Sequence, residues 1–370
     1  DADCDDGVCL CPGALTTDQD RPFPERMPEC VLARCQTDAD CPSGECGATA
    51  RFNGCGTSAA LQCRTEIDGC RSDADCNEGE VCGANATPGA LAEGTKGWRC
   101  EPAISCMIGR LLRVDGDARV AACLEGHFDD SWRGDALPRT LAASPELRRE
   151  LARRWREVAL LEHASIASFA RFSLQLLALG APPELLTQAR AALDDEREHA
   201  RLCLALARCY GADARPGPLD VTRAAPGVPD RRTVAAALLR EACVAETLGV
   251  AEAVAAAEVC QEPAVRSILA RIASDEQRHA ALAWRSLRSI VDGASPALRV
   301  ELAALARVVV EEAARALEKP VPESRYETAA HGVLPPRDRA AIQRAALGEV
   351  VGPCLRAVFG ADADEQRAYA

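Results

Sequence analysis

The run Asp195-Glu196-Arg197-Glu198-His199-Ala200 returns later in the chain as Asp275-Glu276-Gln277-Arg278-His279-Ala280. Each copy is a Glu-x-x-His inside an Ala/Leu-rich stretch that reads as helix. Residues three apart on a helix share a face, so each copy aims a carboxylate and an imidazole at one point. Each copy also follows a second helical stretch with its own glutamates: Arg156-Glu157 then Glu162 in the first half, Arg240-Glu241 then Glu246 in the second. A proline-marked hairpin separates the members of each pair. A duplicated helix pair accounts for this register, and it constrains the chain to four helices whose inner faces meet.

The punctuation fits. Ser144-Pro145-Glu146 is an N-cap, a first-turn proline and an acid, opening a helix expected to reach Leu179. Gly180-Ala181-Pro182-Pro183 ends it, and a second helix runs to about Tyr210. A Pro/Gly-rich connection follows to about Asp230. A third helix is expected over roughly 231–260 and a fourth over 263–291, with further helices after Ser295-Pro296 and Pro335-Pro336. Two short hairpins and one long crossover are the wiring of a four-helix bundle.

Four carboxylates and two imidazoles on such helices suit two divalent iron or manganese ions. Ions held ~3.5–4 Å apart need bridging anions against their mutual repulsion. Glu196 and Glu276 are the expected bridges, Glu162 and Glu246 the terminal carboxylates, and His199 and His279 the imidazoles, one per metal. Glu246 is preferred to Glu241, because residues five apart do not share a helical face. Asp195 and Asp275 are placed to accept the second N–H of a ligand histidine across the bundle.

Glu162, Glu196-x-x-His199, Glu246 and Glu276-x-x-His279 resemble the ligand set of the ferritin-like di-iron carboxylate superfamily. That group includes rubrerythrins, bacterioferritins, manganese catalases, ribonucleotide reductase small subunits and multicomponent monooxygenases. Asp275-Glu276-Gln277-Arg278-His279 is similar to the Asp-Glu-x-Arg-His form of the monooxygenases, and the surrounding sequence resembles secreted bacterial ferritin-like domain proteins. The resemblance covers about 145–292. It implies a mainly α fold: a ferritin-like four-helix bundle over 144–292 with extra C-terminal helices over 293–370. It also implies two Fe or Mn ions, di-iron being favoured, and chemistry with dioxygen or peroxide.

The N-terminal third differs. Fifteen of the 20 cysteines lie between Cys4 and Cys123. Asp-Ala-Asp-Cys occurs at Cys4, Cys41 and Cys76, each followed by glycine and another cysteine. We expect 1–105 to be a small irregular module stapled by disulfides. Its Asp-x-Asp pairs are read as turn formers in preference to a calcium site, and no Cys-x-x-Cys writes a zinc or rubredoxin-type iron site. Residues 106–143 read as a linker with a β-hairpin on Asp115-Gly116. The cysteine density implies an extracytoplasmic compartment: periplasm, cell surface or medium; the resemblance implies a bacterium. A chain opening on Asp1 is expected to have a processed N-terminus. The net charge of −13 argues against nucleic acid, and no stretch has the ~20 apolar residues of a membrane span.

Two functions follow. One is an extracytoplasmic oxidoreductase taking electrons from its substrate, from a donor protein or from peroxide. The other is a cell-surface or extracellular assembly protein, with a structural metal-binding bundle and a Cys-rich module contacting other subunits or the envelope. His163 is read as a helix–helix contact; His127 and His331 are unassigned. Trp155, Trp284 and Tyr210 are read as core in preference to an electron relay. Ile166, Phe169 and Phe172 are read as packing in preference to a substrate pocket. Cys203 and Cys243 are expected to face the metal layer from opposite sides. Cys209 and Cys260, both about 20 Å along the axis from the metal layer at 1.5 Å per residue, are expected to be bonded or to share partners.

Overall fold

The computed structural model describes residues 7–10, 29–33, 35–52, 57–76, 80–83, 97–102, 110, 112–114, 117–126, 132, 143–224, 229–318 and 326–360. The chain is mainly helical, with small antiparallel hairpins and a disulfide-rich N-terminal region. The first Asp-Ala-Asp-Cys copy, the Asp115-Gly116 turn and His127 lie outside the described residues.

The N-terminal region is more regular than its sequence suggests. Strands β1 (Gly7–Leu10), β2 (Glu29–Ala33), β3 (Cys46–Phe52), β4 (Thr57–Cys63), β5 (Glu80–Gly83) and β6 (Arg99–Pro102) form a sheet of order β1-β2-β4-β3-β5-β6. The irregular module expected for 1–105 is thus corrected. Its strands are held by backbone pairing and disulfides rather than by one buried face, so they leave little alternating apolar pattern to read. Two repeats share one scheme. Cys35–Cys46 and Cys41–Cys63 bond in the first, and Cys70–Cys82 and Cys76–Cys100 in the second. Each Asp-Ala-Asp forms a one-turn 3-10 helix. The Asp40 carboxylate accepts from the backbone N–H of Gln36 and Thr37 at 2.9 and 2.8 Å. Asp75 does the same with Arg71 and Ser72 at 2.7 and 2.9 Å. These acids close turns, as expected.

The linker is fastened to the helices. β7 (Arg113–Val114) pairs with β8 (Asp117–Ala118) in the expected hairpin, and Leu112 and Val114 pack on Ala164. β9 (Cys123–Glu125) pairs with β10 (Ala214–Pro216), inside the long connection that sequence reading left without structure.

Helix α1 (Pro145–Ala178) starts at Ser144, whose side chain accepts from the Leu147 N–H at 3.2 Å. Helix α2 covers Pro183–Cys209. Helix α3 (Arg231–Leu238) is capped by Asp230 and passes through a π-helical turn, Leu239–Val244, into α4 (Ala245–Val259). The single third helix expected from sequence is therefore interrupted, one turn before Glu246. Helix α5 spans Pro263–Asp292. α1 packs on α2, α4 on α5, and α2 on α5. Two apolar clusters fill the interior. One holds Phe169, Phe172, Leu238, Cys243 and Leu287; the other holds Leu151, Trp155, Cys203, Tyr210, Cys260 and Ile268.

Helices α6 (Pro296–Glu318), α7 (Pro336–Ala346) and α8 (Gly352–Phe359) cover α3, α4 and α5 respectively. Buried Glu252 of α4 accepts from Gln343 of α7 at 3.0 Å and lies 3.6 Å from Arg339. Before α7 the chain turns at Gly332 (φ 78°), where a Cβ would come within 2.7 Å of Val265 and Leu269 side-chain carbons. That close approach seats His331, whose Nδ1 lies 3.1 Å from the Tyr210 hydroxyl. The expected Cys209–Cys260 bond is not formed; both are thiols. Matching heights fix a level along the axis but not a direction around it. The Cys260 thiol turns to the carbonyls of Glu262 and Ala330, 3.6 Å from each.

Candidate metal centre

Between the two apolar clusters lies one polar layer, and the six predicted ligands meet in it. Glu162 comes from α1, Glu196 and His199 from α2, Glu246 from the first turn of α4, and Glu276 and His279 from α5. Each is at most 2 % exposed. They form two overlapping groups. One is Glu162, Glu196, His199 and Glu276; the other is Glu196, Glu246, Glu276 and His279. Within each, one oxygen or nitrogen per residue lies within 4.8 Å of the others. The shared members are Glu196 and Glu276, the two residues expected to bridge. Glu241 turns away and pairs with Arg171 at 2.7 Å, and Glu157 pairs with Arg153 at 2.5 Å. The glutamates that precede Glu162 and Glu246 in each half thus serve ion pairs between and along helices.

The histidines are held from behind, across the layer. His199 Nε2 lies 3.0 Å from Asp275, and His279 Nε2 lies 3.2 Å from Asp195. An ionised carboxylate only accepts, so each Nε2 carries a proton, and in the neutral imidazole that a metal requires each Nδ1 presents a lone pair. Arg278 then clamps both aspartates, 3.0 Å from Asp195 and 2.8 Å from Asp275. Its position three residues after Asp275 was a legible signal that sequence reading did not use.

The Nδ1 atoms point at carboxylates: His199 Nδ1 is 3.4 Å from Glu276, and His279 Nδ1 is 3.2 Å from Glu196. In that neutral form lone pairs face lone pairs and do not bond. All eight carboxylate oxygens of Glu162, Glu196, Glu246 and Glu276, and both Nδ1 atoms, are buried without a hydrogen bond. Buried polar atoms are nearly always satisfied, and an unpaired buried charge is costly. Ten such atoms converging on one layer fit cations.

The electrostatics agree. Burial and the neighbouring Glu196 push Glu162 above the usual carboxylate range, and burial and Glu276 do the same to Glu246. Burial disfavours the charged imidazoles, but the Asp275 hydrogen bond and the carboxylates of Glu162 and Glu276 hold His199 well above its ordinary value. Glu276, Asp195 and Glu196 do likewise for His279. Protons thus substitute for missing positive charge, and divalent ions would displace them.

The remaining expectations sort cleanly. Cys203 and Cys243 are fully buried in opposite clusters, as expected. Burial and nearby Glu162 push the Cys203 thiol up. His163 meets Trp132 of the linker edge-on at 5.1 Å, a contact with the linker rather than with another helix. Trp155 and Tyr210 are core, and Trp284 donates to the Thr247 hydroxyl at 3.1 Å. Phe169 and Phe172 are packed, and Phe169 lies edge-on to His279 at 5.2 Å. Sequence reading missed Arg110, a linker residue whose buried guanidinium lies over Phe172 at 4.4 Å; nothing in its neighbours flags it. Comparison of the chain with protein-family models, with curated proteins and with solved structures gives no match in any of the three.

Proposed function

We propose that α1, α2, α3–α4 and α5 form a ferritin-like four-helix bundle holding two divalent metal ions, iron in preference to manganese. In this reading the protein is an extracytoplasmic oxidoreductase of the di-iron carboxylate superfamily acting with dioxygen or peroxide. The observation that carries the reading is the set of ten buried oxygen and nitrogen atoms that converge without hydrogen bonds. Their donor set, carboxylates and neutral imidazoles without thiolate, suits iron and manganese.

Glu162 and His199 would hold one ion, Glu246 and His279 the other, with Glu196 and Glu276 between them. Two such ions supply two-electron chemistry with dioxygen or peroxide. The protein's part is orientation. Asp195, Asp275 and Arg278 fix both imidazoles from the α2/α5 side. Phe169 and Phe172 are buried on the α1 side of the layer. The four disulfides among the described residues suggest an oxidising, extracytoplasmic setting, and no described helix is long and apolar enough to cross a membrane. We place the protein in a bacterial envelope or medium.

Oxygen uptake and peroxide consumption by iron- or manganese-loaded protein test the enzymatic part. Turnover lost in Glu246→Ala is expected. A loaded protein inert to both, under a range of reductants, would leave the assembly role with a structural metal site.

A further inference from the structure

Arg110 is buried to 1 % exposure and has Glu246 of the proposed centre within its electrostatic reach. The α2/α5 side is closed by the two histidines and the aspartates behind them. On the opposite side, α1 and α4 bring Glu162 and Glu246. There the linker is pinned across the seam. The Ser165 hydroxyl donates to the Arg110 carbonyl at 2.8 Å, one turn from Glu162, and Arg171 donates to the Arg113 carbonyl. The guanidinium of Arg110 lies over Phe172 at 4.4 Å and Phe169 at 5.2 Å. Glu241, Glu246, Arg171 and Cys243 are within its electrostatic reach.

The carboxylates in reach of this guanidinium are Glu241 and Glu246. Its buried Nε makes no hydrogen bond. Arg171 and Glu241 already form an ion pair with each other at 2.7 Å. In the dinuclear reading the four ligand glutamates, Glu246 among them, would balance two divalent ions; the Arg110 charge would then be left over at the seam, and a guanidinium does not shed its proton to escape that cost. A second polar group is unmatched as well: the Ser168 hydroxyl is fully buried without a hydrogen bond. Ser168 is three residues from Ser165 and four from Phe172, so helical spacing sets it on the α1 face that carries the Arg110 contacts.

We propose that Arg110 and Ser168 form an anion-recognition site beside the metal layer, and that its ligand is a small monocarboxylate. A guanidinium fork matches a carboxylate's two oxygens, a hydroxyl adds a third donor, and Phe169 and Phe172 give the apolar flank for a short carbon chain. The inference rests on the dinuclear reading and deepens it: the substrate class becomes a small organic acid held by its carboxylate.

The test uses the full chain loaded with metal. Formate and acetate are titrated by calorimetry into wild type, Arg110→Met, Arg110→Lys and Ser168→Ala, with metal content measured on each sample. Saturable binding of one anion per chain is expected for wild type, weakened at least tenfold in Arg110→Met and several-fold in Ser168→Ala, with metal content unchanged. Arg110→Lys should bind at an intermediate strength. Wild type that holds two metals yet binds neither anion overturns the site alone. Equal binding in wild type and in a folded Ser168→Ala and Arg110→Lys pair overturns it too. A wild type without metal overturns the dinuclear reading, and this one with it.

Discussion

Asp195 and Asp275 hold the two histidines of the polar layer from behind. Each fixes the tautomer and rotation of the histidine on the opposing helix. Asp275→Asn should lower metal affinity roughly 10–100-fold, the cost usual for removing such a partner, as read by competition with a chelator; an unchanged affinity would contradict the tautomer argument. The same layer sets a pH response. Glu162, Glu246, His199 and His279 are raised in the folded protein. Their protonated forms favour the fold fully below the ordinary values of 4.5 and 6.5, and that contribution is lost as pH rises through the folded values. Glu276, Asp195 and Asp275 are lowered, so theirs is lost only on acidification. As pH rises above these ordinary values the metal-free protein should therefore lose stability. The metal-loaded protein should gain, because protons compete less for the ligands. Denaturant midpoints with and without metal should slope in opposite directions; parallel slopes would count against cation binding. At this scale the chain was readable where chemistry repeats: the six residues that converge in the layer and both aspartates stand in duplicated positions. Arg110 was not readable, since a lone arginine in a linker gives no periodicity to place it.

At the scale of elements, helix boundaries were legible because proline and cap residues mark them, as Ser144-Pro145 and Asp230 do. The π-helical turn at Leu239–Val244 was not, because Leu-Arg-Glu-Ala-Cys-Val carries no breaker and reads as ordinary helix. That turn has a consequence for the site. It lodges a residue before Glu246 that an α-helix would place elsewhere, as such turns often do at functional sites. Deleting Ala242 should restore α-helix there and rotate Glu246 by about 100° relative to α3. The variant should keep its far-UV helical signal and lose at least one metal per chain; full metal content would show that the turn does not set the ligand's direction. The N-terminal strands escaped sequence reading for a different reason: cysteines and turn acids, not a buried face, hold them.

In the whole molecule, stability is supplied differently in its two parts. The described disulfides all lie between Cys35 and Cys100, where buried clusters are as small as Cys70, Cys82 and Trp98. The helical part instead buries two extended apolar clusters, and its described cysteines are thiols. Reduction with a phosphine should therefore loosen the N-terminal part, seen as protease cleavage within 35–100, and leave the thermal transition of the helical part nearly unchanged. Collapse of the helical signal on reduction would contradict that division.

The account stands on the metal layer, and elemental analysis of protein purified from its native host tests it most directly, beside a Glu276→Ala/His279→Ala control. About two iron or manganese ions per chain, lost in the folded control, is the predicted result. A folded wild type with no bound metal, or with metal retained by the control, would contradict it.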